Sequence, residues 1–443
     1  MRRLAGSIAL IVIVAAACTS AATVSPLSAP TTSPAPSAVV TPSPVAIPTA
    51  TQPASPVPIP SPTATATPVS ISDLAWQRVT TLDGAALGGD IVGFAGGYVV
   101  TSDDKVFWSA DGTEWTAVTI GSRVSDIASD GRTVLLAGAE ERDCGPDPCE
   151  PGSTGCGGPV CKASPVAWRS VDGLSWERSK PWPVAAVDSD AYRALETALW
   201  SVPTGGWDAV LSYLTGDTSN LVGVFHSDDG LTWVALPADL PASIGGSAEE
   251  PFWGPGAADE TGRRLLAGWV FAGDSVQTGL FTSPDGGSWT WLEDFPEPGL
   301  MVSAVLASSA GGSPLWSVAG TGAIDPGNDS GRPTVWTSPD LAFWSGQTLA
   351  MGDSVSGWVS ALSPATFGYV AVGRLVLAPE TDPVDMSWAS ADGVDVWIPL
   401  AVPTEPGVQG PSVVADGPAG VIGIRWADDS GDEPVPAIVW ALR

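Results

Sequence analysis

Basic side chains are scarce in this sequence: 18 Lys and Arg stand against 48 Asp and Glu, a formal net charge of −30. A nucleic-acid binder relying on a broad cationic surface is excluded by that balance. The one histidine, His226, cannot by itself build a multi-histidine metal centre, and any Ser-His-Asp arrangement would have to use it. Neither a Gly-x-Ser-x-Gly elbow nor a phosphate-binding P-loop occurs. Tyrosines number four and cysteines five, and beyond Ala17 no unbroken apolar run reaches the roughly 18 to 20 residues that span a bilayer as a helix. Charge is missing altogether from Thr19 to Ser70.

What is present at the start is Arg2-Arg3 followed by an apolar or small-residue run from Leu4 to Ala17, short for a membrane span and suited to a signal-peptide core. It ends at Ala15-Ala16-Ala17-Cys18 and resembles a bacterial lipoprotein signal, although Ala15 stands where that family more often has leucine. The resemblance implies a diacylglyceryl group on Cys18 and a lipid-anchored chain outside the cytoplasm. Read instead as an ordinary secretory signal with an A-x-A cleavage site, the same residues leave Cys18 unmodified and the chain secreted. Residues 19–70 hold 13 prolines in 52 positions with no aromatic side chain, a composition that cannot bury enough surface to fold. Extended polyproline II at about 3.1 Å per residue makes this segment a disordered stalk. The sequence thus divides into a signal (1–18), a linker (19–70) and a folded region (71–443) that contains all 21 tryptophans.

Self-similarity dominates the folded region. A Ser-x-Asp-Gly-x-x-Trp core recurs at Ser109, Asp111 and Trp115; Ser170, Asp172 and Trp176; Ser227, Asp229 and Trp233; Ser283, Asp285 and Trp289; Ser338, Asp340 and Trp344; and Ser390, Asp392 and Trp397. The serines are spaced by 61, 57, 56, 55 and 52 residues. Apolar alternation before each serine reads as a strand, Asp accepts turn amides, Gly supplies positive φ, and Trp opens the returning strand. Leu341 replaces Gly in the fifth copy, and the sixth has one extra residue before Trp397. The motif resembles the Asp-box (BNR) repeat of sialidase-like propellers, whose pattern is Ser-x-Asp-x-Gly-x-Thr-Trp. Here Gly comes one residue earlier, and only Thr232 supplies the threonine.

Two further strand-like runs precede each motif, which makes four strands per unit and a period typical of a propeller. A seventh unit begins at Ser412 and contains three such runs, and its fourth strand is expected from 72–79, where Trp76 echoes the motif tryptophan. The expected fold is therefore all-β, a seven-bladed β-propeller of four-stranded blades closed by strands from both ends of the folded region. Motif turns and the turns joining strands one and two belong to one face; the remaining connections, long and acidic, belong to the other. Asp325 and Asp329 in one connection, and Asp428, Asp429 and Asp432 in another, offer hard oxygen ligands suited to calcium, without EF-hand spacing. The alternative is that they solubilise exposed loops. Asp382 and Asp385 are expected in a similar connection.

Cys144, Cys149, Cys156 and Cys161 share one Gly/Pro-rich connection. Outside the cytoplasm an even set implies disulfides, with three pairings open, and a four-thiolate zinc site is the alternative. The expected innermost strands, including 91–94, 124–129 and 196–201, contain no Arg or Tyr, unlike the arginine cluster and tyrosine nucleophile that the sialidase resemblance implies. Asp126 and Glu196 are the carboxylates that could approach the axis as a hydrolytic pair. His226 occupies a repeat position and reads as structural. Most tryptophans belong to the hairpins, whereas Trp182, between two prolines and near Arg178 and Lys180, reads as an exposed contact residue, with Arg178 as its partner in ligand binding. These features point to an extracytoplasmic, membrane-tethered, noncatalytic binding or scaffold protein that recognises a protein or glycan through its acidic face. The alternatives are a glycoside hydrolase of sialidase-like descent, or an assembly factor for a membrane complex, by similarity to the propellers of photosystem II assembly factors.

Overall fold

A computed structural model describes residues 70–443 except 84–87, 103, 143–160, 185–186, 190–194, 216–217, 242–243, 245–250, 273–274, 297–298, 310–313, 323–330, 379–380, 403–409 and 427–435. Its strands form seven antiparallel sheets, and the only helix among the described residues is a 3-10 turn at Ile71–Asp73. No described helix is long and apolar enough to cross a membrane. The innermost strands are Ile91–Phe94, Arg123–Ser129, Leu195–Ser201, Phe252–Ala258, Met301–Ser308, Ser356–Ala365 and Val413–Gly417, and each contacts the next around a closed ring. We number the blades one to seven in that order.

Each sheet is buried on both sides. The second strand of the first blade, Gly97–Ser102, is buried at every position. Because successive side chains leave a strand on opposite faces, Tyr98 and Val100 pack with the seventh blade while Val99 packs with the second. The same division runs round the ring: buried apolar residues fall into seven clusters, one at each junction between neighbouring blades. Close approach is strict near the axis. A Cβ added to Gly93 would lie 1.7 Å from the Asp416 carbonyl oxygen, so the first and seventh blades meet there without room for a side chain.

Closure takes the form anticipated from the repeat. Trp76–Leu82 pairs with Ala437–Leu442, placing Trp76 opposite Leu442 and Arg78 opposite Trp440. Ala75 and Arg443 exchange backbone hydrogen bonds of 2.9 and 3.1 Å. Trp76 is only 1% exposed, and its indole N–H donates to Ser387 Oγ of the sixth blade at 2.7 Å. On the other side of the seventh blade, the Tyr98 hydroxyl donates to the Gly420 carbonyl at 2.6 Å and accepts the Ala419 N–H at 3.0 Å. Burial pushes its pKa up to about 12.

One blade departs from the expected four strands. In the second, two short pieces, Glu177–Arg178 and Val187–Ser189, both pair with the third strand, Cys161–Ser170, which makes five. That third strand is ten residues long and outruns its first outer partner, so the connection to the third blade returns beside its uncovered end.

The repeated turns share one hydrogen-bond scheme. In the second blade, the Ser170 hydroxyl donates to Asp172 at 3.0 Å and accepts the Gly173 N–H at 2.8 Å, while Asp172 Oδ1 accepts Leu174 and Ser175 N–H at 2.9 and 2.7 Å. Those amides hold the Asp172 pKa down to about 2. Gly173 has φ 74°, and a Cβ there would meet Trp108 of the first blade at 1.9 Å. Leu341 takes φ 69° in the fifth copy, and its buried side chain packs with Phe295, Leu300 and Trp344 between the fourth and fifth blades. Packing therefore holds a left-handed backbone that glycine usually occupies.

Two outcomes follow from closure and turn chemistry. Trp76→Ala should lower unfolding stability by about 3–5 kcal/mol, the range for truncating a buried aromatic, and chemical denaturation with an unchanged midpoint would show that the ring does not need this strand. A depressed folded pKa means that the contribution of Asp172 is complete above its unfolded value and fades as pH falls through the folded one. Asp172→Asn should therefore narrow the fall in melting temperature between about pH 5 and pH 2 relative to wild type, as read by scanning calorimetry.

Candidate functional site

A cavity of about 460 Å³ opens along the axis at the ends where the innermost strands begin, opposite the motif turns. The inner strands shape it by a repeated irregularity. Strand register shifts between Val124 and Asp126, between Trp253 and Gly256, and between Val302 and Ala304. The residues at these bulges, Ser125, Gly254, Pro255 and Ser303, line the cavity, as expected where a bulge redirects side chains beside a site. Two of the irregular segments also lock adjacent blades. Asp126 accepts the Leu199 N–H of the third blade at 2.6 Å and its neighbour Ile127 N–H at 2.7 Å. Ser303 donates to the Val359 carbonyl of the sixth blade at 2.6 Å.

The cavity carries two carboxylates and one guanidinium: Asp90, Asp126 and Arg123. Asp90 is fixed through its main chain, its N–H donating to Thr101 Oγ1 at 3.0 Å and its carbonyl accepting the Thr101 N–H at 2.9 Å. Asp90 is an exposed residue lining the cavity, and desolvation by the protein around it raises its pKa. Asp126 is raised well above the usual carboxylate range, first by desolvation and then by the negative charge of Asp90, against the lowering effect of its two amide donors. A carboxyl group that keeps its proton to higher pH can donate as well as accept, so the pair suits hydroxyl groups and proton transfer.

Several expectations change here. The innermost strand of the second blade begins at Arg123, one residue earlier than expected, so the inner ring does contain an arginine. Asp126 does line the axis, but the carboxylate close enough to raise its pKa is Asp90. Asp90 directly precedes the run 91–94, and its place at the start of an innermost strand was the available signal. Glu196 lies on the innermost strand of the third blade, and its side chain is outside the described residues.

Trp182 is not an exposed contact residue. It is 5% exposed, stacks on Trp233 with ring centroids 4.2 Å apart, and meets Phe225 at 5.2 Å. The flanking prolines deliver it into the junction between the second and third blades, where a large ring fills core space. Arg178 is exposed and ion-pairs with Glu140 of its own blade, so the two do not share a contact surface with free indole. Asp385 also leaves the acidic surface: it lies in the third strand of the sixth blade, 3% exposed, 2.9 Å from Arg374 and 3.2 Å from Arg425 of the seventh. His226 keeps its structural place, with Nδ1 2.7 Å from buried Asp208, whose other oxygen is 2.5 Å from Arg264 Nε in the fourth blade. Hydrogen bonding to Asp208 raises its pKa.

Cys18, Cys144, Cys149 and Cys156 lie outside the described residues, as do Asp325, Asp329, Asp428, Asp429 and Asp432. Cys161 opens a strand, and its side chain is likewise undescribed. Among the described residues no group of three His, Cys, Asp or Glu is placed to hold a metal ion. A larger cavity, about 720 Å³, lies toward the motif-turn end, but its ionisable groups are engaged locally. Asp259 caps Thr261 and Arg263, and Glu260 accepts from Ser309 at 2.6 Å. The axial cavity is the stronger candidate for chemistry.

The chain matches no protein-family profile and no curated relative. Among solved structures, it resembles a Bombyx mori GH32 β-fructofuranosidase with TM-score 0.36 and 11% identity over 85% of this chain and 95% of that one. It also resembles Trypanosoma rangeli sialidase in complex with 2,3-difluorosialic acid, with TM-score 0.39 and 14% identity, over 68% of this chain and 53% of that one. The neighbours are propeller glycosidases. The likeness is one of strand arrangement, and no residue role is taken from it.

Asp126→Asn tests the electrostatics. Because the folded pKa is raised, ionisation opposes the fold, and that cost appears as pH climbs from the unfolded value toward the folded one. The variant should therefore melt higher relative to wild type at about pH 7 than at about pH 4. A difference in melting temperature independent of pH would remove the desolvation argument.

Proposed function

We propose that this protein is an extracytoplasmic recognition module, tethered through Cys18 and a proline-rich stalk, that holds the terminal part of a glycan in its axial cavity without cleaving it. The observation that carries this reading is the pairing of Asp90 with Asp126 beside Arg123 in a cavity of about 460 Å³. That volume falls in the range of small-ligand pockets. Sugar hydroxyls both donate and accept, and the three side chains together provide both roles. The two amides received by Asp126 and the bond from Ser303 to the sixth blade support pre-organisation, which lowers the entropic cost of binding.

A second reading, glycoside hydrolysis, is favoured by one feature: Asp126 keeps its proton to higher pH than an ordinary carboxylate and shares the cavity with a second carboxyl group, Asp90. Both are tested on the mature chain. Glycan-array screening followed by calorimetry is expected to find a saccharide whose affinity falls at least about tenfold in Asp90→Asn and Asp126→Asn, equivalent to one well-formed polar contact. Incubation with a panel of chromogenic glycosides is expected to release no product. Turnover that disappears in Asp126→Asn would establish the hydrolase instead, and unchanged glycan affinity in both variants would sink the axial site.

A further inference from the structure

The repeat contains its own control for deciding which tryptophans are structural. Two residues after each motif tryptophan, the outermost strand carries Ala117, Arg178, Ala235, Trp291, Gly346 and Pro399 in blades one to six. Only the fourth blade places a large aromatic there. Of the 21 tryptophans, the other 20 are buried or half-buried, whereas Trp291 is 43% exposed. The equivalent position in the fifth blade shows what the fold itself prefers. A Cβ on Gly346 would lie 2.5 Å from Trp336 of the adjacent strand, so a small residue there allows the hairpin ring to cover the strand. Trp291 serves no such closure, and leaving its ring partly in water forgoes part of the burial free energy that a core position would provide.

Its surroundings form a groove of about 520 Å³ between the outermost strand of the fourth blade and the motif turn of the fifth. Thr290, Glu293, Asp294, Arg263 and Ala342 line it with Trp291. The platform is held from both sides. Trp291 pairs with Phe281, the next residue, Leu292, donates its N–H to the Leu280 carbonyl at 2.8 Å, and Phe295 is buried edge-on against Trp336 and Trp344 of the fifth blade. Arg263 is fixed at the wall by Asp259 at 3.2 Å and by the Asp340 carbonyl at 3.0 Å. Glu293 and Asp294 are exposed acceptors at the rim.

We propose that this groove is a second saccharide-binding site, separate from the axial cavity, in which Trp291 stacks against the C–H face of a sugar ring. An indole offers a wide apolar face with little conformational freedom to lose. Carboxylates on one side accept sugar hydroxyls, and the fixed guanidinium on the other donates to them. That mixture fits a neutral oligosaccharide better than a basic peptide, whose cations would meet Arg263.

The test uses the mature chain with cellohexaose, xylohexaose, mannohexaose and chitohexaose as probes, by calorimetry and by affinity electrophoresis in the corresponding soluble polysaccharides. Binding of at least one probe should weaken about tenfold or more in Trp291→Ala and stay within about threefold of wild type in Trp291→Phe. The same binding should persist in Asp126→Asn, which separates this site from the axial one. Melting temperature of Trp291→Ala close to wild type guards against misfolding, as expected for a partly exposed side chain. The proposal is overturned if no probe binds wild type, if Trp291→Ala binds every probe as wild type does, or if the variant loses binding only to a lysine-rich control peptide.

Discussion

Each sheet of this protein is buried on both faces, and only its neighbours in the ring can bury them. That constraint governs the rest of the structure. A single blade would expose two apolar faces, and an open arc of blades would expose one at each end, so the favourable state is a closed circle. The seven clusters are the physical record of this, since every one joins residues of two adjacent blades and none belongs to one blade alone. Trp76 completes the circuit by contributing to the cluster between the sixth and seventh blades, while Leu82 of the same strand contributes to that between the seventh and first.

Burial on both sides also explains how polar groups are distributed. Among the described residues, charge buried between blades stands beside partners: Asp208 lies between His226 and Arg264, and Asp385 between Arg374 and Arg425. Both sets bridge adjacent blades, so the positive charges of a strongly acidic chain are partly invested in joining sheets. Even so, desolvation raises the Asp385 pKa despite its two arginines. The axial cavity differs because two carboxylates, Asp90 and Asp126, share it with the single guanidinium of Arg123, and the charge of Asp90 acts on Asp126. Desolvation and then the charge of Asp90 disfavour the ionised form of Asp126 there, against the two backbone amides that favour it.

Repetition makes departures informative. The motif turn tolerates Leu341 because the neighbouring blade supplies a pocket for its side chain, and the fold is unaffected. Trp291 is a departure of another kind, since an additional aromatic ring stands where it remains 43% exposed. Arg264 is a third, standing where the first, third, fifth and sixth blades place Tyr98, Trp207, Trp316 and Tyr369 opposite the motif serine. Its ion pair with Asp208 replaces an aromatic contact by an interblade electrostatic one.

The number of blades, their four-strand plan and the closing strand were legible from the sequence because turn chemistry is local. Ser, Asp and Gly within four residues satisfy one another's hydrogen bonds whatever surrounds them, and the recurrence of that unit sets the period. Trp182 and Trp291 could not be ranked in the same way. Both lie just outside the motif, and whether a ring is buried depends on Phe225 and Trp233, more than 40 residues from Trp182, or on a turn some 50 residues beyond Trp291. The meeting of Asp90 with Asp126, and the bond from Asp126 to an amide 73 residues away, likewise arise only when successive inner strands converge on the axis. Local hydrogen-bonding determined the repeating unit; the site and the exposed platform were decided by contacts between blades, which no short stretch of chain encodes.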